Sequence, residues 1–118
     1  MTDELIRYDA IELGNLIRKG EITPMEILEI TIERIERVNP RINAVIHKLY
    51  DQAHAEAKQW SDEAKSKKTD GAVFAGVPFL LKNLLAEYEG TPFDEGSLAV
   101  KGYVSKLDTE LVRRQRAG

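Results

Sequence analysis

In the stretch "GVPFLLKNLLAEYEG", residues 76 to 90, Lys82 directly follows the apolar run Val77 to Leu81. A lysine placed immediately after a buried strand is partly desolvated, which disfavours the ammonium and leaves a neutral amine able to serve as a base toward a hydroxyl nucleophile. The commoner role for such a lysine is a solvated charge that ends the strand, with Asn83 opening a turn. The residues by themselves leave both roles open.

The other reactive side chains form no set of their own. His47 and His54 are seven apart, with no HExxH arrangement, so they read as a strand-face and a helix-surface residue rather than metal ligands. Glu87, Glu89, Asp94 and Glu95 could supply paired carboxylates, but glycine-interrupted spacing fixes no distance between them and a solvated acidic loop fits as well. Ser61, Ser66, Ser97 and Ser105 lack a GxSxG context, and no GxxxxGK[ST] or GxGxxG cradle for phosphate occurs. Trp60, at helical spacing among alanines, reads as a core or interface residue.

Several elements must position these groups. "YDAIELGNLIRKG" has Ala10, Leu13, Leu16 and Ile17 at helical spacing, and Lys19 then Gly20 as a stop. In "TPMEILEITIERIERVNP", Thr23 can cap, Pro24 suits the first helical position and Glu26 can complete a capping box. Leu28, Thr31, Ile32, Ile35 and Val38 then form an apolar stripe that Asn39 and Pro40 close. "INAVIHKL" is rich in β-branched residues and predicts a strand. From Asp51 onward Ala53, Ala57, Trp60 and Ala64 predict a helix lying on a surface through small residues, with a turn at Gly71. The run after Gly76 and Pro78 predicts a short buried strand. Residues 87 to 106 are irregular, and Asp108 or Thr109 can cap a last helix through Ala117 with Leu111 and Val112 facing inward.

These elements predict an α/β fold: the incomplete, amino-terminal part of a mixed sheet, with helices packed on a few short strands. A complete small α+β domain is the alternative. One core is all that 118 residues and 13.3 kDa allow. The absence of cysteine excludes disulfides, thiol nucleophiles and cysteine-ligated metals. No apolar stretch approaches the roughly 20 residues needed to cross a bilayer and no leader-like start is present, so a cytoplasmic location without membrane contact is expected. A net charge of -3 argues against a nucleic-acid partner. Lys65, Lys67 and Lys68 read as a solvated face, and Arg113, Arg114 and Arg116 as a flank pairing with acids in a continuation of the protein.

The combination of "GEITPMEILEITIERIERVNPRINAVI", "GVPFLLKN" and "GTPFDEGSLAVKGYVSKLDTELVRRQRAG" resembles the amino-terminal part of the amidase signature family over about residues 9 to 118. In that family a GVPFxxKD segment precedes a T-x-x-GS element and a D-x-x-x-V-x-x-L-R-x-x-G helix. A position near the hydrolases of the 6-aminohexanoate type is expected. The resemblance implies hydrolysis of carboxylic amide C–N bonds by a serine nucleophile, a second serine on a cis peptide bond, and a catalytic lysine matched here by Lys82. It implies no cofactor and no metal. Two departures stand out: Asn83 replaces the usual aspartate, and "FDEGS" replaces a less acidic "TTAGS", so that Asp94 and Glu95 add charge.

The family's serine-rich segment follows the arginine-rich helix and is not found in residues 1 to 118. The whole chain is therefore expected to be an amino-terminal portion of an amidase domain, supplying Lys82 but inactive alone. Its implied partners are the carboxy-terminal part of that domain, a small-molecule amide for the complete enzyme, and other copies of itself through an exposed sheet edge or helix face. A non-catalytic interaction module on the same framework is the alternative.

Overall fold

Asp9 and Thr23 each open a helix in the same way. The Asp9 carboxylate accepts from Glu12 N at 2.8 Å while Glu12 accepts from Asp9 N at 2.9 Å, and Thr23 exchanges the equivalent bonds with Glu26 at 3.1 and 2.8 Å. Each box satisfies N–H groups that the first turn leaves without intrahelical partners. The computed structural model describes residues 5–65 and 71–117, with the backbone alone for 63–65. Ser66, Lys67, Lys68 and the side chains of Ala64 and Lys65 lie outside the described residues.

The chain divides into two compact units, one ending at Pro78 and one beginning at Phe79. In the first, α1 (Ala10–Lys19) ends at Gly20, whose left-handed backbone donates to Ile17 O at 3.0 Å. Helix α2 (Pro24–Ile42) buries Ile27 and Leu28, and α3 (Tyr50–Lys65) packs on it. Ala57 is buried and Ala53 and Trp60 are half-buried, in keeping with a helix that approaches a neighbour through small residues. Polar links join the two helices and the segment between them: His54 Nε2 lies 2.7 Å from Glu29, Lys48 Nζ 2.7 Å from Glu36, and Tyr50 donates to Glu36 at 2.6 Å. Arg18 on α1 donates to the carbonyls of Ala72 and Val73 at 3.2 and 3.0 Å, holding residues 72–73 beside Gly14.

In the second unit the chain is mostly turns, followed by α4 (Glu110–Ala117). Gly90 N donates to Ser105 O at 2.9 Å, Ser105 N to Thr91 O at 2.9 Å and Phe93 N to Tyr103 O at 3.0 Å. Phe93, Ala86 and Val112 are buried. Of the two α4 residues expected to face inward, only Val112 does so, since Leu111 is half exposed. Thr109 N donates to Glu87 O at 3.1 Å, which ties the start of α4 to the preceding loop.

The expected mixed sheet is corrected by this structure: among the described residues there is no β-strand, and the chain is helices and turns rather than α/β. Extended backbone becomes sheet only when another strand takes its N–H and C=O groups. In the segment expected as the first strand, the Asn39 side chain takes both groups of Val45, at 2.9 Å each. At the expected second strand, Val77 N turns back to Phe74 O at 3.0 Å, and Phe79 and Leu80 are exposed. Residues 90–93 and 103–105 come nearest to pairing, but Pro92 has no N–H to donate and only an isolated antiparallel bridge to Val104 forms. Helix α2 also departs from expectation by continuing through Pro40 to Ile42. The left-handed Asn43 ends it, donating to Asn39 O at 2.7 Å.

Candidate active site

Lys82 lies near the start of the second unit, just before the turn Asn83–Leu85, and its side chain is exposed. Among the described residues no hydrogen bond or ion pair holds its ammonium. Its neighbour is held firmly. Asn83 Nδ2 donates to Asp94 Oδ1, and Asn83 Oδ1 accepts from Asp94 N at 3.2 Å. The carboxamide therefore bonds one residue through both its donor and its acceptor.

Asp94 in turn begins a tight turn. Ser97 N donates to Asp94 O at 2.8 Å and Gly96 N to Asp94 Oδ1 at 3.1 Å. The central residues, Glu95 at φ 51 and Gly96 at φ 69, are both left-handed, which is the arrangement of a type I′ turn. Glycine takes that conformation freely, whereas Glu95 crowds its Cβ against the backbone at a cost of about 1 kcal/mol. Leu85, at φ 65, is a second non-glycine residue with left-handed backbone close to Lys82 in the chain. Strained backbone of this sort is concentrated at functional sites in proteins.

The acids of the loop take separate roles. Glu87 accepts from the Tyr103 hydroxyl at 3.1 Å, and this bond raises the phenol above its ordinary range. Asp94 serves the clamp and the turn, and Glu95 occupies the turn itself. Asp108 accepts from Glu89 N at 2.8 Å and from Arg116 at 2.8 Å; the backbone N–H is the larger cause holding its carboxyl below the usual range. Arg116 also lies 4.8 Å from the centre of the Tyr88 ring. Arg113 and Arg114 pair with Glu110 at 3.1 and 2.8 Å, so the arginine flank finds acids within its own unit.

The serines serve local structure: Ser61 donates to Ala57 O at 2.8 Å, Ser97 accepts from Ala99 N at 3.3 Å, and Ser105 is buried. Among the described residues no cluster of three or more acidic or histidine side chains could hold a metal ion. The histidines have other surroundings: His47 is half-buried, and His54 has Nδ1 2.7 Å from Tyr50 O and Nε2 on Glu29. The Asn83–Asp94 clamp could not be read from sequence. Both residues stood out as departures from a pattern, but nothing local connects positions eleven apart.

The site thus combines an exposed lysine, a clamped asparagine and a turn strained at Glu95. The model of the Amidase family matches residues 26–118, which include all of it. The chain belongs to the amidase family. It is 38% identical over 114 residues to the 6-aminohexanoate-cyclic-dimer hydrolases of a Pseudomonas species and of Paenarthrobacter ureafaciens, covering 92% of this chain and 20% of each relative. It is 33% identical over 113 residues to an indoleacetamide hydrolase of Bradyrhizobium diazoefficiens, covering 95% of this chain and 21% of that one. The crystal structure of a bacterial aryl acylamidase of the amidase signature enzymes superposes with a TM-score of 0.78 at 33% identity, covering 86% of this chain and 21% of the other. The chain thus spans about a fifth of the length of the relatives it matches. No helix among its described residues is long and apolar enough to cross a membrane.

Proposed function

We propose that these residues are the amino-terminal portion of a serine-dependent amidase domain and that Lys82 is its base. The observation that carries the reading is the family match across residues 26–118, which includes the Lys82 segment and the turn linked to it through Asn83. In the proposed reaction Lys82, as the neutral amine, draws a proton through a bridging serine from the nucleophilic serine. That serine attacks the amide carbonyl, the amine leaves with a proton, and water releases the acyl group. Both serines come from protein outside these 118 residues. Backbone N–H groups beside them hold the oxyanion. Neither a metal nor an organic cofactor has a part in this sequence of steps.

In an exposed position a lysine keeps its charge well solvated, and burial is what shifts it toward the neutral base. Exposed apolar residues of the same unit support Lys82 being covered in the complete domain. Phe79 is 67% exposed, Leu80 62%, Leu85 72% and Leu98 87%, a set of large apolar side chains that association with further protein would remove from water. The 118-residue chain is inactive alone on this reading. Its substrate is a carboxylic amide, and the likeness to cyclic-dimer hydrolases makes a cyclic or linear aminohexanoate amide the first substrate to try.

The exposed apolar residues also support a second reading, a non-catalytic interaction module. One experiment separates the two. The chain is mixed or co-expressed with the remainder of a 6-aminohexanoate-cyclic-dimer hydrolase, and amine release is measured. Activity only in the mixture, falling by roughly a hundredfold or more in Lys82→Ala, is the expected result. Stable association without activity favours the interaction module, and hydrolysis by the chain alone overturns the requirement for outside serines.

A further inference from the structure

We propose that Asn83 and Asp94 are a matched positioning pair that fixes the direction of Lys82, with a neutral amide required at 83 because a carboxylate stands at 94. The inference rests on the reading of Lys82 as the base. Asn83 follows Lys82 directly, so whatever holds Asn83 also sets the backbone from which the lysine side chain extends. The carboxamide uses both ends on Asp94: Nδ2 gives a proton to Oδ1, and Oδ1 takes one from the backbone N–H at 3.2 Å. Asp94 is itself fixed by Gly96 N at 3.1 Å and by the turn closed at Ser97. The lysine segment is thereby tied to the 94–97 turn by one charge-assisted and one neutral hydrogen bond.

The chemistry of this pair dictates a pattern of substitutions. An aspartate at 83 could still accept from Asp94 N, but its second oxygen would face the Asp94 carboxylate with no proton between them. Two carboxylates so close cannot both ionise without a large cost. An asparagine at 94 is a milder change, because its Oδ1 can still accept from Asn83 and from Gly96 N. With Asp94→Asn present, however, Asn83→Asp regains a donor opposite it: the new amide donates to the new carboxylate and the bond from the residue 94 N–H is kept, while Gly96 N loses the Oδ1 that it shares with Asn83 in the parent.

The pair differs in this way from the pattern that the sequence resembles, where the acid stands at 83. One departure creates the need for the other. Asn83 and Asp94 are consequently linked departures rather than two separate ones.

The test is a cycle of Asn83→Asp, Asp94→Asn and the double variant, with two readouts. In the 118-residue chain, amide NMR reports the clamp through the N–H groups of Asp94 and Gly96. In the mixture with the remainder of the cyclic-dimer hydrolase, kcat and KM report the lysine. The expected result is that Asn83→Asp shifts both amides and lowers kcat by roughly tenfold or more with KM little changed. Asp94→Asn alone stays within a few-fold, and the double variant returns the residue 94 amide and kcat toward the parent while the Gly96 amide stays shifted. A double variant no better than Asn83→Asp overturns the proposal. A residue 94 amide that follows the cycle while kcat does not shows a clamp that leaves the lysine unaffected, which also overturns it. A parent mixture without hydrolysis removes the amidase reading and the positioning role together, while the amide cycle still reports separately whether the clamp exists.

Discussion

Replacing Gly14 with alanine sets two effects of opposite sign against each other. Gly14 lies inside α1, where alanine is favoured over glycine by about 1 kcal/mol on helix propensity. A Cβ added there would lie 2.2 Å from the carbonyl oxygen of Val73, closer than any carbon and oxygen can approach without bonding, and the neighbour is backbone rather than a flexible side-chain end. Residues 72–73 would have to retreat by about an ångström, a displacement of the kind that costs about 1–3 kcal/mol in a packed site. The same carbonyl accepts from Arg18 at 3.0 Å, and the Ala72 carbonyl accepts from it at 3.2 Å; weakening these bonds adds about 1 kcal/mol. The close approach outweighs propensity, and Gly14→Ala is expected to destabilise the chain by about 1–3 kcal/mol. Urea unfolding followed by circular dichroism, with an unchanged slope, measures it. If the retreat of residues 72–73 is the cause, Gly14→Ala and Arg18→Ala are less than additive, because the first has already loosened the bonds that the second removes. A more stable Gly14→Ala protein would refute the reasoning, since helix propensity would then have prevailed and the α1 contact could not be as tight as the structure has it.

Two further outcomes are open to direct measurement. His54 is held above its ordinary imidazole range, first by its hydrogen bond to Glu29 and then by Tyr50 O, so the imidazolium is favoured in the folded chain. The stabilisation is fully present below the unfolded value near 6.5 and is lost as pH rises through the higher folded value; urea midpoints on both sides of neutrality should show this fall in the parent and not in His54→Gln. At the site, Glu95→Gly relieves the left-handed glutamate and is expected to stabilise by about 0.5–1 kcal/mol, whereas Gly96→Ala destabilises by about 1 kcal/mol, both read from denaturation midpoints. Equal effects of the same sign from the two substitutions would contradict the type I′ turn.

Much of the first unit was legible because its signals are local. Thr23, Pro24 and Glu26 lie within one turn and cap α2 as their types require, and Lys19 with Gly20 ends α1 where expected. The Asp9–Glu12 box carries the same local signature one helix earlier. Pro40 did not end α2, because the turn that contains it is closed by Asn43 N donating to Asn39 O at 2.7 Å, a bond that needs no N–H from the proline. The strands failed for a different reason. A run such as Val77 to Leu81 specifies that burial is favourable, but not which backbone will supply its hydrogen bonds, and a strand exists only when that partner does. The clamp belongs to the same class: Asn83 and Asp94 meet through the path of the intervening loop, which no window of sequence contains.

In the second unit Ala86, Phe93 and Val112 are buried, while Phe79, Leu80, Leu85 and Leu98 remain largely in water. Burying a large apolar side chain from full exposure contributes about 1.5–3 kcal/mol, so these four together could supply several kcal/mol to an association, before its entropic costs are counted. Lys82 lies between two of them in sequence. On the proposed reading, covering Leu80 and Leu85 would also withdraw water from the Lys82 amine between them, as the role proposed for that residue requires. In the proposed positioning role the clamp would hold the backbone of the 82–83 segment in place beforehand, so that association does not also have to order it.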